Sequence, residues 1–116
     1  MSAYQLFLIT APGKLAQTLA TKLVQNKLCA CINIVPTVKS VYWWDNQVQT
    51  DEESLLIGKT IAENKQEIIK SVKEWHEYDV PEVIFMDINS GNEDYLKWIT
   101  NSTVVANNIK QKHDEL

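Results

Sequence analysis

Apolar and polar positions along the chain change period several times, and each change marks an element. Tyr4 to Thr10 is an apolar run rich in β-formers and predicts a first strand. Pro12 suits the first turn of a helix, where its missing N–H costs little. Leu15, Ala16, Leu19, Leu23 and Val24 then recur at helical spacing, predicting a helix that runs to Asn26. From Leu28 to Thr60 the pattern predicts one long β-hairpin that turns at Asp45-Asn46. A second helix is predicted from about Ala62 to Trp75, with Ile68, Ile69 and Val72 on one stripe. Val83 to Ile88 is a fourth strand. A third helix follows Ser90-Gly91, carries Glu93 and Asp94 in its first turn, and buries Tyr95, Leu96 and Ile99. A short helical segment is expected from Thr103 to Ile109, ahead of a charged, frayed tail.

The hairpin is too long for the body it belongs to. An arm of about 15 residues spans on the order of 50 Å. A compact domain of 116 residues has a radius of gyration near ~13 Å. Part of the ribbon must project, and the projecting part carries Tyr42, Trp43 and Trp44. Aromatics on unpaired strand edges invite association, so these three are expected to form an oligomer interface. A two-residue turn pairs Trp44 with Gln47, Lys39 with Glu52, Pro36 with Leu55 and Ile34 with Ile57. Pro36 cannot donate to the ladder and predicts a bulge or kink there. The element order β-α-β-β-α-β describes an α+β, ferredoxin-like plait, an antiparallel sheet with two helices on one face.

Composition narrows the class. The 116 residues read as one domain with no repeat or linker, and 45% apolar with 22% charged residues is ordinary for a globular protein. No apolar run approaches the ~18 residues of a membrane span. All 11 basic residues are lysine and the net charge is −4. That balance argues against nucleic-acid binding, and without arginine there is no bidentate clamp for phosphate. Because Met1–Phe7 lacks the features of a signal peptide, a cytoplasmic location is expected, and the terminal His113-Asp114-Glu115-Leu116 and the sequon Asn101-Ser102-Thr103 are read as fortuitous.

Several residue groups carry chemistry. Cys29 and Cys31, two apart on a strand, share a face at roughly 6.6 Å, too far for easy disulfide formation. They can hold a soft ion, or simply pack as small apolar thiols, the reading that the residue types favour. His76, with Glu77, Asp79 and Glu82 nearby, offers imidazole and carboxylates suited to Zn²⁺ or Cu²⁺, or else caps the second helix. Asp51, Glu52 and Glu53 read as a solvated strand flank partly answered by Lys39.

Lys27–Ile34, Tyr42-Trp43-Trp44, Glu53–Thr60, His76–Glu82 and Tyr95–Ile99 together resemble the CutA family of divalent-cation tolerance proteins, in order from Thr10 to Ile99. The resemblance implies a homotrimer with hairpins packed between protomers, an association with copper and other divalent cations, and no enzymatic reaction. Of the copper ligands that the resemblance implies only His76 is matched, and residue chemistry adds Glu82 and Cys31 as candidate metal ligands. Family shape and residue type suggest Lys59, Tyr78 and Trp98 as the lining of an inter-subunit pocket. Four features depart from the pattern: Ile9-Thr10-Ala11-Pro12 contains no thiol, Trp75-His76 stands where some members have adjacent histidines, Glu77 replaces the usual proline, and Asn46 replaces the usual glycine of the hairpin turn. The alternative is a PII-like signalling or scaffold trimer that binds a small metabolite or a protein partner. Acylphosphatase-type catalysis would need an arginine, and an RNA-binding sheet would need central aromatics and a basic face. This chain offers neither.

Overall fold

A computed structural model describes residues 2–106. The elements run β1 (Tyr4–Ala11), α1 (Gly13–Gln25), β2 (Cys31–Trp44), β3 (Gln47–Ile61), a 3₁₀ turn (Ala62–Asn64), α2 (Lys65–Trp75), β4 (Val83–Ile88) and α3 (Glu93–Ser102). The four strands form one antiparallel sheet in the order β2-β3-β1-β4. This is the expected ferredoxin-like plait. Among the described residues no helix is long and apolar enough to cross a membrane.

Alternation along β1 sorts the sheet into two unlike faces. Phe7, Ile9 and Ala11 are buried, and the ladder places Leu56 and Phe85 on their side. On that face they meet Ala16, Leu19 and Leu23 of α1 and Ile68 and Val72 of α2. Each such side chain removed from water is worth about 1.5–3 kcal/mol. The Phe7 ring lies directly across Gly58, where a Cβ would stand 2.0 Å from Cζ. Glycine is required there by close approach.

The second face carries Leu6, Leu8, Leu55, Ile57, Ile84 and Met86. Here α3 covers only one end, where Ile99 and Leu96 pack on Ile61 and Tyr4. Ile84 and Met86 remain 50% and 46% exposed. Tyr95, expected in the core, is instead largely exposed, because α3 reaches only the end of this face.

The hairpin projects. The radius of gyration is 15.1 Å and the long axis 44 Å, against ~13 Å for a compact chain of this length. Asp45 and Asn46 both adopt positive φ, 55° and 58°, as a type I′ turn requires. From the tip inward the expected register holds through Lys39↔Glu52 to Val38↔Glu53. It then slips: Val35 faces Leu55 and Ile34 faces Leu56, one residue away from the expected pairs. The irregularity falls between Val35 and Val38, and the Pro36 carbonyl accepts a 2.8 Å hydrogen bond from Ser54 Oγ. The proline forces the bulge, and the bulge moves the register.

Other boundaries shift for identifiable reasons. Pro12 precedes α1 as its cap, and its carbonyl accepts from the N–H groups of Leu15 and Ala16. Leu28–Ala30 lie outside β2 because the Leu28 carbonyl is claimed by Thr60 Oγ1 (2.6 Å) and Asn64 Nδ2 (3.1 Å). Buried Asn64 also donates to the Val104 carbonyl and accepts from the Ala106 N–H, so the second helix begins only at Lys65. Thr103–Val105 are not helical, and Val104 N–H bonds to the Lys27 carbonyl instead. Ala106 is helical, and residues 107–109 of the expected terminal segment and the tail lie outside the described residues.

Candidate functional site

The segment from His76 to Glu82 is stitched to the sheet by one imidazole. The backbone N–H of His76 closes α2 on the Val72 carbonyl at 2.9 Å. Its ring Nε2 lies 2.8 Å from the Thr10 carbonyl, and its Nδ1 accepts the Tyr78 N–H at 3.1 Å. A carbonyl only accepts, so Nε2 carries the proton and the ring is neutral in this arrangement. Contact between the His76 and Tyr78 rings, 4.5 Å between centroids and tilted by 43°, completes the latch.

The latch aims Tyr78 at the hairpin. Its hydroxyl donates to Glu53 Oε1 at 2.8 Å. Farther out, Tyr42 donates to Asp51 Oδ2. Burial, then the hydrogen bond to Glu53 and the negative charges of Glu53 and Asp51, holds the Tyr78 phenol well above the ordinary tyrosine range. The hydrogen bond to Asp51 does the same, less strongly, for Tyr42. Between hairpin and loop opens a groove of about 680 Å³. Tyr42, Trp44 and Tyr78 give it aromatic walls, and Asp51, Glu53, Glu77, Asp79 and Glu82 line it with carboxylates. No lysine lines it.

The expected ligands do not make a metal set within one protomer. Both nitrogens of His76 are already hydrogen-bonded. Glu82 lines the groove, but Cys31 pairs with Lys59, four residues along β3 from the Leu55 that faces Thr10. Four strand residues are roughly 13 Å. Among the described residues no three His, Cys, Asp or Glu side chains gather in a way that could hold a metal ion. Cys29, outside the strand, does not share a ladder face with Cys31. Burial, and then Cys31 beside it, pushes the Cys29 thiol up to about 12.

The other expected groups are also divided. Tyr78 lines the groove, whereas Lys59 donates to Asn33 Oδ1 and the Trp98 ring lies tilted against Tyr95 at 5.4 Å. Tyr42, Trp43 and Trp44 are all exposed, yet strand alternation sends Trp43 to the face opposite the other two. There it faces Val48, with Val41 beside it, in a ridge whose members are about two-thirds exposed. The acidic run is not a uniformly solvated flank. Glu53 is only 8% exposed and bonded to Tyr78, and Asp51 is bonded to Tyr42. Sequence reasoning missed this because the tyrosine partners are remote in the chain. The available signal was alternation: Asp51 and Glu53 share the face of Leu55 and Ile57.

An antiparallel ferredoxin-like sheet with a projecting ribbon and a loop latched to it defines a small α+β protein class. The profile described as CutA1 divalent ion tolerance protein matches residues 5–102, and the chain belongs to that family. It is 51% identical over 96 residues to Protein CutA 1, chloroplastic, of Oryza sativa subsp. japonica, covering 82% of this chain and 54% of the relative. Thus the chain spans about half the length of the plant relatives it matches. It is 40% identical over 100 residues to the divalent-cation tolerance protein CutA of Thermus thermophilus, covering 85% and 97%. The crystal structure of CutA1 from Oryza sativa superposes with a TM-score of 0.86 at 45% identity, covering 89% of this chain and 95% of that one.

Proposed function

We propose that this chain works as a non-catalytic homotrimer in divalent-cation tolerance, its hairpins packed between protomers. One observation carries the reading: the ribbon outruns the body and presents Val41, Trp43 and Val48 to solvent, 65%, 67% and 66% exposed. The half-open sheet face around Ile84 and Met86 adds a second apolar surface, and exposed apolar surface of this extent marks association sites. The names of relatives in two kingdoms, divalent-cation tolerance protein and CutA, support the functional half. In this reading copper or another divalent ion is what the protein binds or responds to, and among the described residues of one protomer no three candidate ligands gather. His76 serves as a structural latch in this reading.

Light scattering on the wild type and on Trp43→Ser tests the proposal. The wild type is expected at three protomer masses, with the variant dissociating at higher concentration. Titration with Cu²⁺ of the wild type and of His76→Ala tests the role of the imidazole: equal binding keeps His76 structural, whereas loss of a stoichiometric site returns it to the ligands. A second reading, a PII-like trimer that binds a small metabolite, is favoured by the groove between hairpin and loop.

A further inference from the structure

The projecting arm leaves the body at one residue, and several local features meet there. β1 runs along β3 only as far as Ala11↔Ser54. Beyond Ser54, β3 pairs with β2 alone among the described residues, so the sheet narrows to a two-stranded ribbon. Gly13, at the start of α1, sits beside the same serine, where an added Cβ would lie 3.7 Å from Oγ. The bulge falls there as well. Val35↔Leu55 and Val38↔Glu53 leave Pro36 and Thr37 together opposite Ser54.

The extra residue reconciles two registers. The core turns Ile32 and Ile34 toward the helices, while the Asp45-Asn46 turn pairs Trp44 with Gln47. Strict alternation from Ile34 would satisfy only the first. It would put Val41 and Trp43 on the open sheet face and leave one residue for the turn. With the bulge, Val41 and Trp43 fall on the helix side, where Trp43 meets Val48. Tyr42 and Trp44 take the open side.

A two-stranded ribbon twists strongly and is weak on its own. This one is held where it begins. Buried Ser54 donates Oγ to the Pro36 carbonyl at 2.8 Å, which locks the bulge and the bend that a bulge imposes. Its neighbour Glu53 points to the other face and accepts the Tyr78 hydroxyl at 2.8 Å, which ties the first outer pair to the loop after α2.

We propose that Pro36, Ser54, Glu53 and Tyr78 form a joint that fixes the angle and the sidedness of the arm within a single protomer, so that a second copy of the chain meets a preset arm. An arm ordered in advance loses less conformational freedom on docking. The consequence for assembly rests on the trimer proposed above, whereas the joint itself is made by one chain.

Hydrogen exchange read by mass spectrometry, with light scattering of the same samples, tests this on the wild type, Ser54→Ala, Tyr78→Phe and Thr60→Val. Thr60→Val is the control. It removes a buried hydrogen bond inside the body, from Oγ1 to the Leu28 carbonyl at 2.6 Å. Peptides covering residues 38–53 should exchange roughly three- to tenfold faster in both joint variants and at the wild-type rate in the control. The concentration of half-dissociation should rise by a similar factor in the joint variants alone. Equal exchange of residues 38–53 in the joint variants and the control would overturn the joint. A trimer with that result keeps the assembly and loses the joint. A monomer whose arm loosens only in the joint variants does the reverse.

Discussion

The hydroxyl of Tyr78 donates to Oε1 of Glu53 at 2.8 Å, joining the loop after α2 to the middle of the hairpin. The bond spans 25 residues of sequence, and beside it His76 holds the Tyr78 N–H on its Nδ1. The projecting ribbon is therefore braced along its length by a polar contact as well as by the sheet.

That brace has a pH signature. Burial first, then Glu53, raises the Tyr78 phenol above its ordinary value. A folded-state pKa above the unfolded one contributes stability that is complete below about pH 10 and is lost as pH rises through the folded value. The melting midpoint should fall with pH above that point, and Tyr78→Phe should lack this part of the decline. Thermal melts across the alkaline range check it; identical slopes in both proteins would contradict the brace.

Gly58 should not tolerate a side chain. An alanine Cβ would stand 2.0 Å from Phe7 Cζ, in a core with no slack. Gly58→Ala is expected to cost about 1–3 kcal/mol, measured by denaturant unfolding at fixed protein concentration. Adding Phe7→Leu should recover part of the loss, which identifies ring contact as the cause.

Much of the fold was legible because period and turn chemistry are local. The fourth strand, Val83–Ile88, and the Asp45-Asn46 turn stand where the pattern placed them. Pro36 announced a bulge, but its one-residue consequence for Ile34 depended on which strand carried the extra residue. Asn64 was invisible as a buried hub, because its partners at Leu28, Val104 and Ala106 are remote in sequence. The groove was hidden for the same reason. Asp51 and Glu53 look like solvent-facing charge until Tyr42 and Tyr78 are seen opposite them.

Lys27 ends α1 in a left-handed conformation, φ 57°, with its N–H on the Val24 carbonyl and the Leu28 N–H on the Leu23 carbonyl. This is a Schellman cap occupied by a residue that glycine usually replaces. Lys27→Gly should therefore stabilise the protein by ~0.5–1 kcal/mol in the same unfolding assay. A loss of stability would mean that the lysine side chain contributes more than its backbone strain costs.

The two thiols should differ sharply in reactivity. Cys29 is fully buried with its pKa pushed up to about 12, while Cys31 is partly exposed. Thiolate is the reactive form. With an aromatic disulfide reagent in neutral buffer, Cys29 should stay unmodified until the protein unfolds, as read by mass spectrometry of the digested chain. Rapid modification of Cys29 in the native state would contradict the assigned packing.

Sedimentation equilibrium at micromolar concentration tests the central claim most directly. Burial of the Val41–Trp43–Val48 ridge by neighbouring protomers predicts a particle three times the 13.3 kDa chain mass, stable on dilution. A persistent 13.3 kDa particle with Trp43 open to solvent quencher would contradict it.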